Sequence, residues 1–179
     1  MRHGGIHMSN VLIGIIGVIL FIGLALAGAN FLGPRFQQST NTAKAAAIVQ
    51  GMSQMADAAK MRKVSTGRSY PAGPADALVT EGYLKSRPRN PLGDSNSFFD
   101  FRDVNGTYSG SARYAIAGLD QTNSVHVDTC KEINRQSKVG ASDGTPPALS
   151  GGPNFRQGCF YNRGGWGGLP DMLLVIRRV

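Results

Sequence analysis

The stretch "VLIGIIGVILFIGLALAGA", residues 11 to 29, decides how this chain is built, because only glycine interrupts its apolar side chains. No charged side chain occurs between His7 and Arg35. A helix of this length extends about 28 Å, close to the roughly 30 Å hydrocarbon core of a bilayer. The sequence therefore predicts a helix that is long and apolar enough to span a membrane.

Three interpretations of this stretch remain open. It can be a cleaved secretory signal, since Ala27 and Ala29 offer small residues to a signal peptidase. Two features argue against this: the apolar run is longer than the usual 7–15 residues, and Arg2 is the one basic residue before it apart from histidine. It can be a signal anchor that holds a periplasmic domain. In the third interpretation the helix associates with other copies of itself.

Glycines support the third interpretation, because small residues let neighbouring helices approach closely in lipid. The positions expected to serve helix assembly are Gly14, Gly17, Gly23, Gly28 and Pro34. Pro34 lacks a backbone donor and disfavours helix at Gly33. We expect either a kink or melted stretch near residues 28–35, or simply the end of the span there.

The helical pattern continues beyond the apolar run, in "FQQSTNTAKAAAIVQGMSQMADAAKMRKV", residues 36–64. Its apolar residues recur at alternating spacings of three and four, which places them on one helix face. They are Ala45, Ile48, Met52, Met55 and Ala59. Thr66 and Gly67 are expected to end the helix.

Short motifs follow in an order that resembles the type IV pilins, most closely the type IVb kind. Gly4-Gly5 precede the apolar run, and "GRSYPAGPADALVTEGYLKSRPRNPLG" (67–93) follows the helix. "ARYAIAGLDQTNSVHVDTCKEINRQ" (112–136) and "GCFYN" (158–162) complete the resemblance. Loosely, it covers nearly the whole chain.

The resemblance implies a filament subunit. Prepilin peptidase would cut a leader at Gly4, Gly5 or Ile6, and the apolar helix would be an inner-membrane span first and the core of an extracellular homopolymer later. The pilus assembly machinery would extract it, and the fibre would serve adhesion, DNA transfer or motility. The implied segments are a leader (1–5), a membrane and filament-core helix (6–33), an amphipathic half (34–66) and a globular head (67–179).

One feature departs from the family pattern, in which a glutamate lies a few residues into the mature chain. The first acidic residue here is Asp57. Cleavage after Gly5 would make Asn10 the fifth mature residue, and cleavage after Gly4 would make it Ser9. Neither residue carries the charge.

The head shows short β signals separated by turn residues, namely "FFDF", "ARYAIAG", "SVHV", "CFYN" and "MLLVIRR". We expect Asp128 to cap a helix formed by "TCKEINRQ". The closing run alternates too little for a half-exposed strand, so it is expected to be central and covered. The predicted fold is α+β, with the long helix packed under a small antiparallel sheet.

Cys130 and Cys159 are the two cysteines, and in an exported chain such a pair most simply forms a disulfide. Free or metal-binding thiols are the alternative, but there is no CxxC motif and His126 is the one histidine nearby in sequence. Ser124, His126 and Asp128 do not make a catalytic triad by adjacency alone. We predict no enzyme activity, cofactor or metal.

The net charge is +8, from 19 basic and 11 acidic residues. "KMRKVSTGR" (60–68) and "KSRPR" (85–89) are the densest basic clusters, and such clusters can bind DNA or an acidic surface weakly. No aromatic residues are interleaved with them, which favours a solvated surface or pairing between subunits. The glycine-rich loop around Trp166 is either an adhesive tip or a flexible turn.

Three other functions stay open beside the filament subunit. A signal-anchored periplasmic binding domain would keep the apolar run in the membrane. A small secreted enzyme would lose the run by cleavage near Ala29. A pseudopilin of a secretion system would share the pilin leader but form no long filament.

Overall fold

The structure, a computed structural model, describes residues 7–93, 99–103, 105–107, 110–149, 156–164 and 168–179. The described elements, in chain order, are α1 (His7–Thr66), β1 (Gly73–Pro74), α2 (Asp76–Thr80), β2 (Phe99–Arg102), β3 (Tyr114–Leu119), α3 (Ser124–Ser137), β4 (Gln157–Asn162) and β5 (Met172–Arg178). The strands form one antiparallel sheet in the order β1-β2-β3-β5-β4. The α+β prediction is confirmed.

The chain divides into two compact units, Met1–Thr40 and Asn41–Val179. Helix α1 contributes to both. The second half of α1 therefore belongs to the same unit as the sheet, whereas the sequence suggested boundaries after residues 33 and 66.

In the first unit, α1 is helical through residues 28–35, so the expected melted stretch is wrong. A proline removes one backbone hydrogen bond but fixes φ at a helical value, so a long helix can continue on both sides of it. The part apolar enough to span a membrane ends earlier, at Ala29.

In the second unit, the predicted apolar stripe of α1 lies against the sheet. All five predicted residues, Ala45, Ile48, Met52, Met55 and Ala59, are buried. Gly51 also has a packing role, because a Cβ there would lie 3.3 Å from both Phe99 and Pro88. Gly67 ends the helix with a φ of 70°, and its N–H donates to the carbonyl of Lys63 at 2.9 Å. The predicted end is confirmed.

Strand β5 is an internal strand of the sheet, paired with β3 on one side and with the edge strand β4 on the other. Its residues Met172–Ile176 are buried on both faces of the sheet, as predicted. One face packs on α1 and α3, and the other is covered by Val139, Leu149 and Leu169. Residues 147–149 also pair with Tyr161 of β4, which protects that edge of the sheet.

Two predictions about α3 are wrong. "SVHV" is the first turn of this helix and not a strand, because Asn123 caps it by accepting the Val125 N–H at 3.0 Å. Asp128 lies inside the helix, where it is half exposed and 3.9 Å from Lys131.

Candidate functional site

The most exposed apolar surface of the described chain is the part of α1 from Leu12 to Ala29, which we call the apolar segment. Among the described residues it is the helix long and apolar enough to cross a membrane. Phe21 is 73% exposed and Leu24 is 74% exposed. A contiguous apolar surface of this size needs lipid or protein to cover it.

The glycines of the apolar segment have no packing partner among the described residues. A Cβ added at Gly14, Gly17, Gly23 or Gly28 would meet nothing within 4 Å, in contrast to Gly51. Each glycine costs a helix about 0.5–1 kcal/mol relative to alanine. No contact among the described residues therefore explains why this helix carries four glycines.

Three of these glycines share one side of the helix. At 3.6 residues per turn, Gly14, Gly17 and Gly28 fall within a sector of about 60°, and Gly23 faces the opposite side. Phe21 falls in the same sector as the three. The large exposed ring of Phe21 therefore lies on the same side as three glycines, where another helix can approach closely.

Gly4, Gly5 and Ile6 lie outside the described residues, as does Trp166. Pro34 lies inside α1.

The two cysteines form the predicted disulfide, with their Cα atoms 5.5 Å apart. Cys130 lies on α3 and Cys159 on β4, and both are fully buried. The bond joins the helix to the outermost strand on this side of the sheet. The alternative of free or metal-binding thiols is excluded by this bond.

Asn134 strengthens the same junction and was not found by sequence reasoning. Its side chain is buried, accepts the Cys159 N–H at 2.7 Å and donates to the Cys159 carbonyl at 2.8 Å. It also contacts the carbonyl of Gly144 at 3.3 Å. Asn134 follows Cys130 by four residues, so the helical spacing was the available signal.

Replacing Asn134 by alanine is expected to lower the free energy of unfolding by about 2 kcal/mol, because the buried N–H and carbonyl of Cys159 lose their partner. Urea unfolding of the full chain in detergent, followed by circular dichroism, measures the change. Gln136→Ala, on the exposed side of the same helix, is the matched control and is expected to change stability by less than about 0.5 kcal/mol. Equal effects of the two variants would contradict the assigned role of Asn134.

Ser124 and Asp128 are not placed to form a catalytic triad with His126. On α3, Ser124 and Asp128 each lie two residues from His126, so each points about 200° away from it around the helix. His126 is buried, and its Nδ1 accepts the Asp120 N–H at 2.9 Å. The pKa of Asp120 is lowered, chiefly by hydrogen bonds from the hydroxyl and N–H of Thr122, which marks it as a turn residue.

Metal-ligating side chains are also scattered. Within the part of the chain that the structure describes, no group of three or more His, Cys, Asp or Glu side chains is placed to hold a metal ion. Asp143, for example, accepts hydrogen bonds from the hydroxyl and N–H of Thr145, which lower its pKa.

In each of the two dense basic clusters, one arginine is paired with a carboxylate of the same chain. Arg62 pairs with Glu81 at 2.5 Å and lies 5.5 Å from the ring centroid of Tyr70, and the Glu81 hydrogen bond raises the pKa of Arg62. Arg87 donates to the carbonyl of Phe99 and pairs with Asp100 at 3.1 Å. Each of these two arginines therefore already has a carboxylate partner within the chain.

The chain was compared with protein-family models, with curated proteins and with solved structures, and none of the three comparisons found a match. The resemblance to type IV pilins stays a prediction from the order of short motifs. The exposed apolar segment, its unexplained glycines and the disulfide-linked head are the observations that bear on function.

Proposed function

We propose that this chain is a structural subunit of a type IV pilus, of the type IVb kind, that assembles through its apolar segment into an extracellular homopolymer. The observation that carries the proposal is the set of four glycines in an exposed apolar helix, with no described neighbour that requires them. Close contact with the same helix of other copies gives these glycines a purpose.

The physics of assembly follows from burial. In the bilayer the helix satisfies its own backbone hydrogen bonds, and in a filament identical helices replace the lipid. Because lipid tails and helix surfaces are similarly apolar, tight packing rather than the hydrophobic effect favours the polymer. Extraction requires work from the assembly machinery, and prepilin peptidase would remove the leader.

The absence of an acidic residue near the start of the chain affects how the subunits could assemble. Residues 1–56 contain no aspartate or glutamate, so the apolar segment has no carboxylate to pair with the N-terminal amine of a neighbouring subunit. Assembly of this chain would therefore depend on the shape of the helix surface. Filament formation should respond weakly to salt concentration, since no charge pair within the core has to form.

The head suits a location outside the cytoplasm. Its disulfide is the kind of bond that persists in oxidising compartments. A second candidate function is a signal-anchored periplasmic binding domain, which the same apolar segment favours, since a helix of this length and composition also serves as an anchor.

Mass spectrometry of the mature N-terminus, combined with shearing of cells to release surface fibres, separates the candidates. A chain that starts at Gly5 or Ile6 and occurs in the sheared fraction supports the filament subunit. A chain that starts at Met1 and stays with the membrane supports the anchored domain and contradicts the proposal. A start at Asn30 indicates a secreted domain, and very short fibres indicate a pseudopilus.

A further inference from the structure

Two clefts open at the end of the sheet where β3 and β4 begin and β5 ends. The first has a volume of about 310 Å³ and the second about 260 Å³. Basic side chains line both clefts together with hydroxyl and amide groups. The basic residues are Lys60, Lys63 and Arg113 in the first cleft and Arg156 and Arg177 in the second. We call these five residues the basic end.

Strand pairing brings the basic end together. The N–H of Val179 donates to the carbonyl of Arg113 at 2.9 Å, and the N–H of Arg178 donates to that of Arg156 at 3.0 Å. Arg177 stands opposite Ala115 on one side and Gln157 on the other. Because neighbouring strands lie about 4.8 Å apart, the chain segments of Arg113 and Arg156 are separated by about 10 Å across β5.

The basic end has little internal neutralisation. No aspartate or glutamate side chain is among the described residues that line either cleft, and a free carboxylate on Val179, the last residue of the sequence, would offset one positive charge of the first cleft. Lys60 lies 3.8 Å from Asp57, but both side chains are more than half exposed, so this pair contributes little. Arg177 bonds the neutral amide of Gln157 at 2.5 Å. The positive charge is therefore available to an external anion, in contrast to that of Arg62 and Arg87.

We propose that the basic end binds the phosphate backbone of double-stranded DNA without reading its sequence. Five clustered cations release counterions when they meet a polymer that carries one charge per about 1.7 Å of its axis. Unpaired bases would need an exposed aromatic platform. Tyr70, the one aromatic residue described in the clefts, is buried and donates its hydroxyl to the carbonyl of Pro74, so the backbone of a duplex fits better.

The test uses the full chain in detergent and a fluorescent 30-base-pair duplex, with affinity measured at several salt concentrations. The variant Lys63→Gln/Arg113→Gln removes two charges from the first cleft. The control Lys85→Gln/Arg163→Gln removes the same net charge from exposed residues that line neither cleft. Should the first variant fold poorly, Lys60→Gln/Lys63→Gln takes its place, since both lysines are exposed on α1.

We expect the cleft variant to bind at least about tenfold more weakly and the slope of log affinity against log salt to fall by about 2, with the control within about twofold of the unaltered chain. If both variants lost the same amount of affinity for the duplex, net charge alone would explain the binding, and the proposal would be overturned. Binding of heparin without binding of the duplex, or tighter binding of single strands, would overturn it as well. The test is independent of filament assembly, because it needs only the folded chain.

Discussion

Replacing Cys130 and Cys159 together by alanine is expected to lower the free energy of unfolding by about 3–4 kcal/mol. The bond closes a loop between residues separated by 29 positions, and the chain-entropy model gives this magnitude for a loop of that size. The loop contains "GASDGTPPALSGGPNFRQG", which has few apolar residues of its own to hold it. Urea unfolding of the full chain in detergent measures the loss.

Reduction supplies the control for this experiment. Dithiothreitol should destabilise the unaltered chain by a similar amount and leave the double alanine variant unchanged. The disulfide and Asn134 hold the same helix to the same strand, so their effects should not add. A loss below about 1 kcal/mol in both experiments would show that the hydrogen bonds of Asn134 and the sheet core hold the junction without the bond.

The double variant Gly14→Leu/Gly17→Leu is expected to insert into the membrane as well as the unaltered chain and to form no filaments. Insertion is preserved because leucine is favourable in the bilayer and nothing described lies within 4 Å of either position. Assembly fails because two large side chains prevent close approach on the glycine side of the helix. Counting fibres on cells by electron microscopy, beside the amount of membrane-bound chain, measures both effects.

Two milder substitutions calibrate this prediction. Val18→Leu adds one carbon to a residue that is already branched and exposed, and should leave the number of filaments nearly unchanged. Gly17→Ala should reduce filaments partially, although alanine favours the isolated helix by about 0.5–1 kcal/mol. Normal filaments from the double leucine variant would contradict the role given to the glycines.

The sequence contained clear signals for the strongest elements. The stripe from Ala45 to Ala59 repeats at helical spacing over four turns, and all five of its predicted residues are buried. The closing strand reads as continuous apolar residues because both faces of β5 are covered. The chain has two cysteines, so only one pairing within it was possible.

Helix α3 was harder to predict, because its buried face is largely polar. His126, Thr129, Cys130, Ile133 and Asn134 are buried at helical spacing, but three of the five are not hydrophobic. Hydrogen bonds to Asp120, Val125 and Cys159 satisfy those three side chains. Hydropathy does not detect a face stabilised in this way, so the two valines flanking His126 suggested a strand.

The basic end was only partly visible in the sequence, because Lys60 and Lys63 belong to the dense cluster 60–68 but its three arginines do not. Arg113, Arg156 and Arg177 are far apart along the chain, and only the register of β3, β4 and β5 brings them together. Charge density along the sequence indicates the clusters 60–68 and 85–89 instead, in which Arg62 and Arg87 pair with carboxylates of the same chain. Strand register depends on long-range pairing that a single sequence does not display.

The most direct test is a cryo-electron microscopy reconstruction of fibres sheared from cells that produce this chain. We expect a polymer of many copies in which the helices of Leu12–Ala29 pack together along the axis, about 8–10 Å apart, with the disulfide-linked sheet outside. If cells that hold abundant chain in the membrane release no fibre containing it, the proposed assembly is wrong.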